Sequence, residues 1–272
     1  MHRPPAVLAL SSADPTSASG VTADAVTLAS MGIYPLCVVT EVCLRDTAEV
    51  DARVALDGEL VVDQARMVLE DVPVAVIKLT LPGSVDLVAA LAELISDYPD
   101  APLILEVPGQ VHDDDAAEDE HLAAALELLL PQTTVLVVDA SAAQRLVAAG
   151  LDDEDHDLDG NDLPALLCDA GAGFVLLLGA PGAGQQAVHV LHGPSGVVQR
   201  DVFERVSAPA LGFAASVAAA LAGAMALGRD ESLAVKEALQ YAHRADAERL
   251  RMGMGLPVPD RMFWARPAEA AQ

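Results

Sequence analysis

Basic residues are scarce in this chain of 272 residues. Lysine and arginine number 15 against 41 aspartates and glutamates, which gives a formal net charge of −26. Nucleic-acid-binding proteins need basic patches to neutralise phosphates, so this composition argues against a nucleic-acid partner. Any site for a phosphorylated ligand would also have to offset the field of the chain locally, with cationic side chains, a metal ion or helix dipoles.

Cysteine and long apolar runs are also in short supply. The three cysteines, Cys37, Cys43 and Cys168, have neither the spacing of a metal site nor the even number of a disulfide framework. The longest apolar stretch, Ala208–Leu227, is alanine-rich and typical of a core helix rather than a membrane span. The N-terminus lacks the basic-then-apolar pattern of a signal peptide. These absences predict a soluble cytoplasmic protein with buried thiols and no membrane partner.

Short apolar runs alternate with helical patterns along the chain, and 53% of its residues are hydrophobic. This alternation indicates an α/β fold with a mostly parallel sheet and crossover helices, in a single domain that covers residues 1–272. The predicted strands are Val7–Leu10, Tyr34–Thr40, Val74–Leu79, Leu103–Leu105, Thr134–Val138, Phe174–Leu178 and Val188–Leu191. The predicted helices are Val21–Met31, Leu60–Glu70, Val85–Ile95, His121–Leu130, Ala140–Ala149, Leu163–Ala170, Leu211–Leu227 and Leu233–Arg249. Gly193-Pro194-Ser195-Gly196 predicts an antiparallel hairpin over Val188–Val206 at one edge of the sheet.

Much of the acidity is concentrated in two runs, His112–Glu120 and Asp152–Asp162. Neither run follows the spacing of acids plus a final glutamate that a calcium-binding loop requires. We interpret both as solvated loops.

The stretch at residues 10–47 reads LSSADPTSASGVTADAVTLASMGIYPLCVVTEVCLRDT. It predicts a β–loop–α–β unit, which places a loop and a helix N-terminus over the carboxyl edge of a sheet, where open α/β folds bind ligands. This sequence resembles that of the hydroxymethylpyrimidine/phosphomethylpyrimidine kinases of thiamine biosynthesis. In that family the stretch reads roughly G-x-D-P-S-G-G-A-G-x-x-A-D and later T-A-L-T-x-Q-[ND]-T. The matching residues are Asp14, Pro15, Gly20, Ala23, Asp24, Thr40, Asp46 and Thr47.

Two further segments extend the resemblance over Val7 to Ala265. Val76–Ser84 matches the family's I-K-[IL]-G-x-L-G-S, in which we expect Lys78 to form a salt bridge with an acid at a strand end. Gly253–Ala265 is similar to a G-x-G-x-x-x-P-[DN]-R-x-F-W-A tail, and we expect Phe263 and Trp264 to anchor the tail (253–272) on the body. The resemblance implies a ribokinase-like three-layer α/β/α fold and a homodimer.

The resemblance also implies a site with ATP and Mg²⁺ as cofactors. Asp24 would hold the pyrimidine, Glu106 the metal, Gly179 the nucleotide, and Gly212 with its neighbouring amides the charge that develops during phosphoryl transfer. The sequence departs from the family at the positions that touch ligand. Arg45 replaces the pyrimidine-binding glutamine, and the other replacements are Leu178 for Lys or Thr, Ala210 for glycine, Leu211 for a hydroxyl residue, Phe213 for cysteine and Ala142 for glutamate.

Several of these positions also have a simpler structural interpretation. Asp139 is expected to cap the helix Ala140–Ala149. The loop Gly179–Gly184 lacks the Lys-Ser/Thr of a P-loop and is typical of a flexible connection. Phe213 is typical of a packed aromatic that caps a core helix.

Two functions therefore stay open. The first is phosphoryl transfer from ATP to a pyrimidine with weak or lost activity, because several phosphate-facing groups are replaced. The second is a non-catalytic paralogue that binds a small ligand or a partner protein. In either case we expect Asp24 and Arg45 to face one cavity near the carboxyl ends of the first two strands, where they would suit a pyrimidine-like or anionic ligand.

Overall fold

The computed structural model of the chain describes residues 3–109, 117–150, 162–181, 184–205 and 210–265, with the backbone alone for 117–119. Several segments discussed above lie outside the described residues. They are nearly all of the two acidic runs, the middle of the Gly179–Gly184 loop, the residues directly before Ala210 and the end of the tail. No helix in the described part of the chain is long and apolar enough to cross a membrane.

The described residues form one sheet of nine strands in the order β3-β2-β1-β4-β5-β6-β7-β8-β9. Strands β2, β1, β4, β5, β6 and β7 run parallel to one another, whereas β3 pairs antiparallel with β2, and β8 and β9 form an antiparallel hairpin beside β7. The strands are Ala6–Ala13 (β1), Tyr34–Arg45 (β2), Val50–Ala55 (β3), Val74–Thr80 (β4), Leu103–Glu106 (β5), Val135–Asp139 (β6), Phe174–Ala180 (β7), Gln186–Gly193 (β8) and Gly196–Glu204 (β9). The predicted mostly parallel sheet with an edge hairpin is thus confirmed.

Helices cover both faces of this sheet, which gives the three-layer arrangement. They are Gly20–Ser30 (α1), Gly58–Asp71 (α2), Val85–Ser96 (α3), Ala117–Ala124 (α4), Ala140–Gly150 (α5), Leu163–Asp169 (α6), Phe213–Ala226 (α7) and Glu231–Ala247 (α8). Three helix starts are capped by acceptor side chains of Asp57, Ser84 and Asp230, each of which accepts a hydrogen bond from a backbone N–H three residues on.

Two buried apolar clusters hold the layers together. One packs α2, α3, α5 and α6 onto one face through residues such as Leu91, Leu146 and Leu167. The other packs α1, α7 and α8 onto the opposite face through residues such as Leu28 and Leu221. The alanines of α7 allow this helix to lie close to the sheet, and its buried segment is a core helix as the sequence predicts.

Three elements differ from the sequence-based prediction. Strand β3 was not predicted, because Val50–Ala55 is mostly exposed and contains two charged residues, so it lacks the apolar run of a buried strand. The predicted helix His121–Leu130 begins in α4 but changes to a π-helical turn at Ala125–Leu129, followed by a 3₁₀ turn. Helix α7 begins at Phe213 rather than Leu211, because Gly212 has φ = 76°, which is not helical.

Candidate active site

A cleft of about 620 Å³ lies at the carboxyl edge of the parallel strands. The ends of β2, β5, β6 and β7 reach it through Arg45, Glu106, Asp139 and Gly179, and the start of α7 closes it. This is the edge at which open α/β folds place ligands. The cleft therefore collects residues from distant parts of the chain into one candidate site.

Most of the residues that the sequence assigns to the site line this cleft, namely Arg45, Glu106, Gly179, Gly212 and Phe213. Asp24 does not line it, since its side chain is completely buried beneath the site. The expectation that Asp24 and Arg45 face one cavity therefore holds for Arg45 alone. Asp24 is connected to the cleft only through other side chains.

A buried ion network makes that connection. The Nζ of Lys78 lies 3.0 Å from Oδ2 of Asp24 and 2.7 Å from Oε2 of Glu106, and Lys78 itself is 0% exposed. The hydroxyl of Thr80 also donates to Oε2 of Glu106 at 2.9 Å. Burial alone would lower the pKa of Lys78, but the two carboxylates outweigh burial and raise it. The predicted salt bridge of Lys78 is thus present, and it joins two acids rather than one.

The loop between β1 and α1 is organised by Asp14. Its two carboxylate oxygens accept four hydrogen bonds, from the backbone N–H and the hydroxyl of both Thr16 and Ser19. Burial raises the pKa of Asp14, but these hydrogen bonds and the charge of Arg45 outweigh burial and lower it. Asp14 thus acts as the acceptor that fixes the loop, in which Ser17 adopts a left-handed conformation with φ = 57°.

A buried arginine from the C-terminal segment holds this loop against the start of α7. Arg261 is 5% exposed, and its guanidinium donates to the carbonyl oxygens of Ser17, Ala18 and Gly212 and to the hydroxyl of Ser216. The sequence analysis assigned the anchoring of this segment to Phe263 and Trp264. Phe263 does pack beside Tyr241, but the side chain of Trp264 is 57% exposed, so it anchors little.

The start of α7 presents backbone N–H groups to the cleft. Gly212 precedes the helix without a side-chain cap, and Ala214 and Ala215 line the cleft. The first N–H groups of a helix lack partners within the helix, and they favour a negative charge. The arrangement can therefore bind an anion, as the predicted role of Gly212 requires.

Part of the cleft wall is uncharged and partly aromatic, and Arg205 and Asp246 also line the cleft. His189 on β8 accepts a hydrogen bond from the backbone N–H of Gly179 through Nδ1 (3.3 Å), so its Nε2 donates to Nε2 of His243 on α8 (2.7 Å). The ring of Phe213 stacks on His189 at 5.8 Å between centroids, and Leu178 lies beside them in the cleft wall. Burial lowers the pKa of His189 to about 3 and that of His243 to about 4, so both are neutral at physiological pH.

The sequence analysis missed this histidine pair and Arg261. The two histidines are 54 positions apart, and the contact between them depends on the packing of α8 against the hairpin, which no local pattern encodes. Arg261 lies in the tail segment that matches the kinase family. The match marks this segment in the sequence but does not indicate that Arg261 contacts the site.

Two carboxylates at the cleft can contribute to a Mg²⁺ site. Oδ1 of Asp139 accepts from the backbone N–H of Ala142 at 2.7 Å, which confirms the predicted helix cap. Within the described residues, Oδ2 of Asp139 and Oε1 of Glu106 make no hydrogen bond or ion pair, and no group of three His, Cys, Asp or Glu residues is placed to hold a metal. Since Mg²⁺ in phosphoryl-transfer sites is held by one or two carboxylates together with substrate phosphates, these residues fit such an ion.

Comparisons with known proteins agree with this geometry. The phosphomethylpyrimidine kinase family model matches residues 14–259. The hydroxymethylpyrimidine/phosphomethylpyrimidine kinase of Streptomyces coelicolor is 28% identical over 271 residues, which cover 96% of both chains. In fold, the chain is similar to an ADP complex of Bacillus subtilis pyridoxal kinase, with a TM-score of 0.87, 18% identity and coverage of 97% of this chain and 100% of that one. It is also similar to a phosphomethylpyrimidine kinase from Clostridium difficile 630, with a TM-score of 0.72, 20% identity and coverage of 89% and 99%.

Proposed function

The chain belongs to the phosphomethylpyrimidine kinase family, and from this premise we propose that it transfers the γ-phosphoryl group of ATP to hydroxymethylpyrimidine or its monophosphate, with strongly reduced activity. The observation that carries the proposal is the start of α7. Its uncapped N–H groups share one cleft with the carboxylate of Glu106, as a site for phosphoryl transfer needs.

The reduction in activity follows from the uncharged side chains that line the cleft. Leu178, Phe213 and the neutral pair His189–His243 offer few donors and no charge where the family places phosphate-binding side chains. The loss of one donor that faces a reacting oxyanion typically lowers a rate by about 10²- to 10³-fold. Several such groups are replaced here, and losses within one catalytic unit are not additive.

The cofactors of the proposed reaction are ATP and Mg²⁺. When bound, Mg²⁺ would neutralise phosphate charge, and Glu106 and Asp139 are the residues that would hold it. Gly179 would lie against the nucleotide. Asp24 would influence the bound pyrimidine indirectly, because it pairs with Lys78, which in turn pairs with Glu106 in the cleft. Arg45 would contact the acceptor from the β2 wall.

The second candidate function is that of a non-catalytic paralogue, a protein that binds a small ligand or a regulatory partner. The uncharged wall formed by Leu178, Phe213 and the two histidines favours it, because such a wall suits an apolar or aromatic group better than a triphosphate.

Transfer of radiolabelled phosphate from ATP to hydroxymethylpyrimidine and to its monophosphate tests the first proposal. Typical enzymes turn over about ten times per second, so we expect fewer than about 0.1 turnovers per second. Glu106→Gln keeps the shape of the side chain and removes its charge, so it should abolish the residual rate. A rate that persists in this variant would come from a contaminating kinase. Pyrimidine binding by calorimetry without any transfer would favour the non-catalytic function, and turnover near one per second would show that the replaced groups are not needed.

We also propose a homodimer. Apolar side chains on the face of β2 and β3 that points away from the cleft support it, since Val42, Leu44 and Val54 are 40%, 46% and 53% exposed. Light scattering coupled to gel filtration should give twice the mass of the 28.1 kDa chain. Val54→Asp should then yield a folded monomer, and an unchanged mass would place the interface elsewhere.

A further inference from the structure

Two arginines of the β2–β3 ribbon line the cleft. Arg45 ends β2, and Arg53 lies on β3 opposite Cys43 of β2. Side chains alternate between the two faces of a strand, so the ribbon places its arginines on the cleft side and Val42 and Leu44 on the outer side. In a chain with a net charge of −26, a concentration of cations at one wall is a specific feature of that wall.

The side chain of Arg45 is mostly buried, but its guanidinium has few protein partners. Its side chain is 9% exposed, and Nε donates to the carbonyl oxygen of Asp46 at 3.0 Å. Nη1 lies 3.6 Å from Oδ2 of Asp14, which is beyond the range of about 2.7–2.9 Å for a charge-assisted hydrogen bond. Neither terminal nitrogen makes a hydrogen bond in the part of the chain that the structure describes. A guanidinium has five N–H donors, and the terminal donors of Arg45 are open to the cleft, where a ligand can accept their hydrogen bonds.

Asp14 is not the acceptor that Arg45 lacks. Both oxygens of Asp14 already accept hydrogen bonds from Thr16 and Ser19, which fix the β1–α1 loop. The neighbouring cation is similarly placed, since Nη1 of Arg53 pairs with Oε1 of Glu41 at 3.2 Å and its side chain remains 35% exposed. Asp14 and Glu41 offset part of the positive charge of the two arginines. The terminal nitrogens of Arg45 nevertheless stay available to bind a ligand.

Nucleotide phosphates at the Gly179 wall are not the acceptor either. Strand β2 and strand β7 are five strand spacings apart in the sheet order, which corresponds to about 24 Å at about 4.8 Å per spacing. An arginine side chain on β2 does not extend over that distance. An acceptor for Arg45 therefore has to lie at the β2 side of the cleft, on the part of a ligand that faces the β1–α1 loop.

We propose that Arg45, flanked by Arg53, binds an anionic group of the acceptor, a carboxylate or a phosphate, at the β2–β3 wall of the cleft. The planar fork of arginine donors matches the two oxygens of either group. This inference rests on the proposed function, which it deepens: the site selects an anionic ring compound over a neutral one. A glutamine at this position, as in the related kinases, would form hydrogen bonds with a neutral ring.

Binding to two pairs of probes tests the proposal. The first pair is hydroxymethylpyrimidine and its monophosphate, and the second pair is nicotinamide and nicotinate, which differ by the replacement of an amide with a carboxylate. Calorimetric titration of the wild-type protein should show tighter binding of the anionic member, by about 10- to 100-fold. Arg45→Gln should remove this preference, and Arg45→Lys should retain part of it. Arg66→Gln is the matched control, because Arg66 makes an exposed ion pair with Asp97 on the surface.

Thermal unfolding without ligand separates a binding role from a structural one. Because the terminal nitrogens of Arg45 are open to the cleft and make no hydrogen bond within the described residues, Arg45→Gln should leave the melting temperature unchanged or raise it. A lower melting temperature of Arg45→Gln together with an unchanged anion preference would show that Arg45 only supports Asp14, and would overturn the proposal.

The two proposals fail in distinguishable ways. If neither pyrimidine binds but nicotinate binds in an Arg45-dependent manner, the pyrimidine acceptor is wrong and the anion site stands. If neutral members bind as tightly as anionic ones, or no anion, inorganic phosphate included, binds more tightly to the wild type than to Arg45→Gln, the anion site is wrong. Phosphoryl transfer to a neutral acceptor would then remain compatible with the proposed function.

Discussion

Gly212 lies so close to Ala18 that a β-carbon on Gly212 would overlap the carbonyl oxygen of Ala18. The loop at the acceptor side of the cleft and the helix start at the phosphoryl side are therefore in direct backbone contact. Arg261 reinforces this contact by donating to the carbonyl oxygens of both residues. The two halves of the proposed site are thus positioned as one unit.

Gly212→Ala should disrupt this unit. The residue has φ = 76°, which costs an L side chain about 1 kcal/mol, and the overlap with Ala18 adds about 2 kcal/mol. Gly228→Ala is the matched control, because Gly228 has φ = 81° with nothing within 4 Å of the added carbon. We expect chemical denaturation to show a loss of about 1 kcal/mol for the control and about 3 kcal/mol for Gly212→Ala. Equal losses would show that the close contact with Ala18 is not retained in solution.

Arg261→Met should cost on the order of 3 kcal/mol of stability. The substitution leaves the carbonyl oxygens of Ser17, Ala18 and Gly212 buried with fewer donors, and unsatisfied buried acceptors cost about 1–3 kcal/mol. Arg261→Lys should recover only part of the loss, because an ammonium group lacks the planar fork. Arg229→Met, at an arginine whose side chain is 44% exposed, is the control and should change stability by less than about 1 kcal/mol. Denaturant titration checks all three variants.

Lys78→Met should be among the most damaging single substitutions. It would leave Asp24 and Glu106 buried without their shared cation, and removal of one partner of a buried ion pair costs about 3–5 kcal/mol. Lys236, which is exposed on α8, is the other lysine of the chain, so Lys236→Met provides a matched control with an expected change below about 0.5 kcal/mol. Lys78→Met with stability close to wild type would mean that the two carboxylates are protonated or solvated rather than paired.

The sequence predicts the parallel core of the sheet because its strands are buried runs. Val7–Leu10 of β1 and Leu103–Leu105 of β5 are apolar without interruption, and their exposure is close to zero. Strand β3 could not be predicted in this way, because it is an edge strand in which Asp51 and Arg53 interrupt the apolar residues. Strand prediction here therefore depends on burial more than on local preference.

The sequence predicts only those residues of the candidate site that belong to a family motif. Arg45 and Glu106 end their strands, Gly179 is the second-last residue of β7, and Gly212 precedes α7, so topology brings them to one edge of the sheet. The pair His189–His243 and the contacts of Arg261 arise from long-range packing between elements that no spacing in the sequence connects. The burial of Asp24 could not be predicted either, because a helix position alone does not reveal that a lysine from β4 covers the carboxylate.

The buried histidines predict a loss of stability in acid. His189 has a folded-state pKa of about 3 because of burial, whereas an exposed histidine titrates near pH 6.5. The unfolded state therefore binds more protons below pH 6.5, so the contribution of His189 is complete above that pH and is lost as the pH falls towards the folded pKa. Since the folded pKa lies well below 5, the loss at pH 5 depends on the unfolded pKa alone and is about 2 kcal/mol.

His189→Gln should remove this part of the acid sensitivity. Comparison of unfolding free energies at pH 7 and pH 5 should show a difference that is smaller in the variant than in the wild type. His192→Gln on the same strand is the control, because His192 is only partly buried and should change the difference less. An identical pH dependence of His189→Gln and wild type would mean that His189 is solvated and free to take up a proton in the folded state.

Phe213→Cys restores the residue that the related kinases have at this position, but we expect it not to restore turnover. Leu178 and Leu211 would still lack the hydrogen-bonding side chains of the family, and groups that act as a unit fail together. The substitution should instead cost about 1–3 kcal/mol, because Phe213 is half-buried and stacks on His189, and a thiol leaves that contact empty. The combined variant with Ala142→Glu, Leu178→Thr, Ala210→Gly, Leu211→Thr and Phe213→Cys should recover more transfer than any single change. Phosphate transfer to hydroxymethylpyrimidine measures both variants beside the wild type, and a large gain from Phe213→Cys alone would show that the aromatic ring was the only obstacle at this site.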